Sequence, residues 1–74
     1  MTQADQMEIL NNSTSWEDFS YKVDYRCGKE AAIEDIAQGK QNLTEYYPYA
    51  VSLFGKAWVD GYTDYFRAWK TLNS

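Results

Sequence analysis

The sequence predicts an all-α fold: a small helical domain with a helix–linker–helix core, a long C-terminal amphipathic helix over about 48–72 and a short N-terminal helix. Three observations lead there. Val51, Trp58, Tyr65 and Leu72 recur every seven residues, with Phe54, Gly61 and Ala68 three positions further on, which is the apolar stripe of an amphipathic helix. Ala31, Ala32, Ile33, Ile36 and Ala37 recur at helical spacing among Glu30, Glu34 and Asp35. The chain also lacks a hairpin turn and a second alternating run against which a strand could pair.

At the N-terminus, Thr2 and Asp5 have capping-box spacing, with an aspartate in place of the usual glutamate, and Met7, Ile9 and Leu10 follow. A short helix over about 3–11 follows from this. "NNSTS" (11–15) is a polar turn, and Ser15 with Asp18, or Thr14 with Glu17, offers the next helix start. The segment after it carries two periods at once. Phe19, Tyr21, Val23, Tyr25 and Cys27 alternate with polar residues as in a strand, while Trp16, Phe19, Val23 and Cys27 also recur at helical spacing. The want of a partner strand favours the helix.

Gly28 falls inside or at the start of the helix that continues through Ala37, at a cost of about 1 kcal/mol relative to alanine. Gly39 with Lys40 supplies its stop. "KQNLTEYY" is the connecting loop. Pro48 suits the first turn of the last helix, where its missing N–H is not needed, and Arg67 and Lys70 complement the dipole at its end. Gly55 and Gly61 each weaken this helix by about 1 kcal/mol. Between large rings they are expected to form notches in which another backbone approaches closely.

Seventy-four residues make one domain, 1–74, with residues 1–15 as N-terminal helix and turn and 16–74 as the helix–loop–helix core. A chain this short folds near the lower size limit without staples. Cys27 alone cannot form an internal disulfide, and the absence of histidine removes the usual zinc ligand. Large rings, burying roughly 150–250 Å² each, are the expected substitute, and nine aromatic residues fall between Glu45 and Trp69. A stripe of Phe54, Trp58, Tyr62, Tyr65 and Trp69 is wider than one short helix can cover, which predicts a homodimer. Tyr46, Tyr47, Tyr49, Tyr62, Tyr65 and Trp69 are the candidates for packing or partner contact.

"MTQADQMEIL" has neither the basic nor the apolar region of a secretion signal, and no run approaches the roughly 18 apolar residues of a membrane span. With one free thiol, the expectation is a cytoplasmic protein away from membranes. The formal net charge is −4, and it is unevenly placed. Asp5, Glu8, Glu17, Asp18 and Asp24 face only Lys22 within residues 1–24, while the remainder is neutral. Wholesale phosphate neutralisation is therefore not expected, and the five acids form a candidate lobe for a basic protein surface. No general base, metal-ligand cluster or phosphate loop is visible, so neither an enzyme nor a cofactor is expected. Cys27 reads as a small buried residue on a helix face.

One constellation carries a resemblance. Pro48-Tyr49, eight residues, Trp58, two residues, Gly61-Tyr62, preceded by Gly28-x-x-Ala31 and Gly39, resembles the ribosome modulation factor family and its small plasmid- and phage-borne relatives over about residues 28–65. The resemblance implies a two-helix unit in which Gly28, Ala31, Pro48, Tyr49, Trp58, Gly61 and Tyr62 fix the turn and the packing, and a ribosome-associated, hibernation-type function. The residues themselves point first to a non-enzymatic binding protein that inhibits a macromolecular partner by occupying its surface. A phage or mobile-element inhibitor of a host defence or nucleic-acid-handling protein fits that description.

Overall fold

A computed structural model describes residues 2–40, 42 and 49–73, which are mostly helical with no strand among them. The order is α1 (Gln3–Asn11), α2 (Trp16–Ala37), α3 (Ala50–Phe54) and α4 (Lys56–Asn73). Residues 43–48, on which the expected connecting loop and the Tyr46, Tyr47 and Pro48 readings fall, lie outside the described residues.

Both expected N-terminal signals operate. The Thr2 hydroxyl accepts from the Asp5 amide and the Asp5 carboxylate accepts from the Thr2 amide, each at 3.2 Å, closing the capping box of α1. Ser15, rather than Thr14, caps α2 by accepting from the Asp18 amide at 3.1 Å. Residues 19–27 are helical, and α2 runs unbroken through Gly28. Alternation thus loses to the lack of a pairing edge, and its residues spread round the helix: Phe19 and Val23 are half-buried, while Cys27 is exposed rather than buried. Gly39, at φ 73°, ends α2 as expected. Its amide bonds to Ile36 O at 3.0 Å and that of Lys40 to Asp35 O at 2.8 Å, the Schellman pairing that satisfies the last carbonyls.

The long C-terminal amphipathic helix is present, but its first turns are set off as α3. Gly55 adopts φ 88° and ψ 154°, and a β-carbon there would meet nothing within 4 Å. It is therefore a break in the helix and not a notch for a neighbour, and the left-handed φ explains why glycine stands there.

Gly61 is a notch, and Gly28 is its counterpart. A β-carbon built on Gly28 would fall on the Trp58 carbonyl oxygen and 2.7 Å from its carbonyl carbon. One built on Gly61 would fall on the Tyr25 carbonyl oxygen and 2.8 Å from its carbon. Each glycine thus accommodates the carbonyl three residues before the other, and α2 and α4 cross backbone to backbone. Beside this crossing sits the core, with Ala32, Tyr62 and Phe66 buried and Ala31, Ile36, Trp58 and Tyr65 packed around them. Ile9 from α1 and Ala50 from α3 are the other buried apolar side chains among the described residues.

Candidate interaction surface

Rings at four-residue spacing run along α3 and α4. Phe54, Trp58, Tyr62 and Phe66 stack in succession with centroids 4.4, 5.1 and 5.5 Å apart, and Trp69 meets Phe66 edge-on at 6.3 Å. Four residues advance about 40° more than one helical turn, so this ladder crosses the α2-facing side obliquely. Its middle is buried, with Tyr62 fully enclosed, and its ends emerge at Phe54 and Trp69. The heptad set behaves alike: Trp58 and Tyr65 are half-buried, while Val51 and Leu72 are exposed. Phe66, the second most enclosed ring, was not among the residues singled out from sequence; its place four after Tyr62 was the available signal.

Three tyrosine hydroxyls tie the two main helices together. Tyr21 donates to Asp60 at 3.2 Å, Tyr25 to Asp64 at 2.8 Å, and Tyr62 to Asp35. The first two phenols are held above their ordinary pKa: Tyr21 by partial desolvation and then by Asp60, Tyr25 by the hydrogen bond to Asp64 and then by desolvation. Asp60 and Asp64 are thus structural acceptors.

The five acids of the N-terminal lobe divide. Asp5 caps Thr2 and faces Arg26 at 3.6 Å; the Thr2 hydrogen bonds, helped by Arg26, hold its carboxyl below the usual range. Asp18 accepts from the Thr14 amide at 3.1 Å and pairs with Lys22 at 3.1 Å, and these lower its pKa in that order. These two are engaged in holding α1 and α2. Glu8, Glu17 and Asp24 are exposed and make no ion pair among the described residues. Lys22 also donates to Asn12 O at 2.8 Å, a cation at the negative end of α1.

Of the aromatic candidates, Tyr62 belongs to the core and Tyr65 lines it, whereas Tyr49 and Trp69 are exposed. Tyr49 belongs to a continuous apolar segment. Tyr49, Val51, Leu53 and Phe54 are 58, 51, 59 and 43% exposed, and only Ala50 among the apolar residues of this stretch is buried. Trp16, 74% exposed against Phe19, adds a separate apolar point next to Glu17.

Among the described residues no group of acids and cysteine is placed to hold a metal ion, and no helix is long and apolar enough to cross a membrane. Comparison with protein-family models, with curated proteins and with solved structures gives no match to this chain.

Proposed function

We propose that this chain is a small, non-enzymatic binding protein that acts by covering a surface of a macromolecular partner, an inhibitor of the kind a phage or mobile element directs at a host protein. The observation that carries this reading is the exposure of Tyr49, Val51, Leu53 and Phe54 on and just before α3. A helix of five residues has little stability of its own, and one that turns most of its apolar side chains outward is poorly explained by internal packing. Contiguous exposed apolar surface is the usual mark of an interaction site. The unpaired Glu8, Glu17 and Asp24 favour a partner with a basic surface, such as a nucleic-acid-binding protein, because complementary charge speeds encounter.

The test is a comparative pull-down from bacterial lysate with wild type and the Val51→Asp/Leu53→Asp double variant. Both positions are exposed, so the fold should melt unchanged while capture of the partner is lost. Equal capture by a stably folded variant would refute the role of this face. A second copy of the chain is the alternative occupant, and sedimentation near twice 8.6 kDa that reverts in the same variant would identify it.

A second reading has its own support. Gly28, Trp58, Gly61 and Tyr62, which carry the resemblance to the ribosome modulation factor family, all lie at the helix crossing or in the core beside it. A ribosome-associated factor would co-sediment with ribosomes in a salt-sensitive manner. Capture that persists in high salt and lacks ribosomal RNA would exclude it.

A further inference from the structure

Where α1 lies against α2, three cations stand together among the acids Asp5, Asp18 and Glu30. Lys22, Arg26 and Lys29 stand at i, i+4 and i+7 on α2 and so share one face of it. With Ile9, Tyr21 and Tyr25 they line an open groove of about 420 Å³, and among the described residues no acidic side chain is part of that lining.

The hydrogen-bonding capacity of these cations is largely unused. Arg26 carries five N–H donors, yet its carboxylate neighbours Asp5 and Glu30 stand 3.6 and 3.9 Å away, beyond hydrogen-bond length. Asp5 is held back by its capping bonds to Thr2. Lys29 makes no hydrogen bond or ion pair among the described residues. Lys22 has one N–H left after Asn12 O and Asp18. The tyrosines are the converse case. Their hydroxyls already donate to Asp60 and Asp64, and their rings lie 6.2 Å apart at 26°. They offer a ligand fixed ring surface and no further donor.

We propose that this groove binds a nucleoside monophosphate, with the phosphate on Arg26, Lys29 and the remaining Lys22 donor and the base against Tyr21, Tyr25 and Ile9. A phosphate monoester presents three strong acceptor oxygens and nearly two negative charges, and the arginine fork matches it in geometry. Every base has a face that stacks on an aromatic ring. The volume falls within the roughly 300–1,000 Å³ of ligand pockets. Asp5, Asp18 and Glu30 at the rim neutralise the cations in the free protein, so binding is modest in strength and weakens with added salt. The proposal concerns a different face from α3 and does not depend on the inhibitor reading.

Amide NMR titrations with adenosine monophosphate, inorganic phosphate and adenosine, at equal millimolar concentrations, test it. The monophosphate is expected to shift the amides of Ile9 and of Tyr21 through Lys29, more than phosphate or adenosine does. Lys29→Gln should weaken this by about tenfold, the order of one charge-assisted hydrogen bond. Lys56→Gln removes the same charge from outside the groove and should change nothing. The proposal fails if the monophosphate leaves α2 unshifted, if phosphate alone matches it, or if the two variants behave alike. Tighter binding of a short 5′-phosphorylated oligonucleotide than of the free nucleotide would overturn it in favour of a strand end.

Discussion

Replacing Gly28 by alanine puts a methyl group where the Trp58 carbonyl now stands. Carbon atoms in contact prefer about 3.5–4.0 Å, and the new β-carbon would lie 2.7 Å from the Trp58 carbonyl carbon and 3.0 Å from its Cα. Neither helix can yield locally, because the obstacle is backbone and its nearest atom, the Trp58 carbonyl oxygen, would lie deep inside contact distance, so α2 and α4 must separate by at least about 1 Å. A gap of that size forfeits a quarter to a half of the dispersion attraction across it. Full burial of Tyr62 and Phe66 is worth about 5 kcal/mol together, which puts the loss near 1–3 kcal/mol. Residual overpacking adds about 1–3 kcal/mol, and the better helix propensity of alanine offsets about 1. The expected net loss is about 3 kcal/mol, against roughly 3–5 kcal/mol for a core of this size. Urea denaturation followed by far-UV circular dichroism measures it. Gly61→Ala should behave alike through the Tyr25 carbonyl. The double variant should lose at least about 1 kcal/mol less than the sum, since helices already parted by one methyl make room for the other. A Gly28→Ala protein that melts at higher urea, as a solvent-facing helical glycine would, refutes the crossing.

Tyr62→Phe leaves the ring in place but strips Asp35 of its donor; a loss of about 1–3 kcal/mol is expected in the same urea assay. Trp58→Ala should cost about 3 kcal/mol, the low end of the range for large rings, because Trp58 is half-buried between Phe54 and Tyr62. The raised pKa values of Tyr21 and Tyr25 have a definite sign: the stability they contribute is whole below pH 10.0, their ordinary value, and is lost as pH rises through the higher folded-state values. Melting temperatures between neutral and strongly alkaline pH should therefore fall, and Tyr25→Phe should flatten that fall. In the acidic lobe, Glu17→Lys should lower the melting temperature only slightly, because the exposed Glu17 acts on the first turn of α2 through the helix dipole alone, worth about 0.3–1 kcal/mol. Asp18→Lys should lower it, since Asp18 receives the Thr14 amide in the first turn of α2.

What was legible in the sequence was whatever rests on neighbours a few residues apart. The caps at Thr2 and Ser15, the Gly39 stop and the helical period of α2 and α4 are all local, and they stand where the residues placed them. What depends on the partner helix was not legible. Gly55 and Gly61 look alike in sequence, each a glycine among rings, yet one is a break and the other a contact, because only the latter faces Tyr25. Gly28 looked like a helix liability and is the other half of that contact. The acidic lobe looked uniform, but Asp5 is committed by the capping box that its spacing from Thr2 foreshadowed, and Asp18 by its bonds to the Thr14 amide and Lys22. The common face of Lys22, Arg26 and Lys29 is hidden in the net charge, which averages over faces, and appears only when the helical period is applied to charge as well as to apolar residues.

The two glycines also account for the large exposed aromatic surface. Helices that meet through side chains keep their axes about 8–10 Å apart, leaving space between them for several rings. Backbone contact at Gly28 and Gly61 closes that space on both sides of the crossing, so the interface admits small residues such as Ala32 and only the rings that reach it along one edge. Tyr62 and Phe66 do so; Trp58 and Tyr65 manage in part. The exposed rings among the described residues find no volume at this crossing, and a wider interface would need the glycines replaced by residues that hold the helices apart. A sequence selected only for the stability of a single chain would have little reason to combine tight glycine crossing with exposed Trp16, Tyr49 and Phe54. The combination is explained if those side chains are buried by a partner and not by the chain's own core.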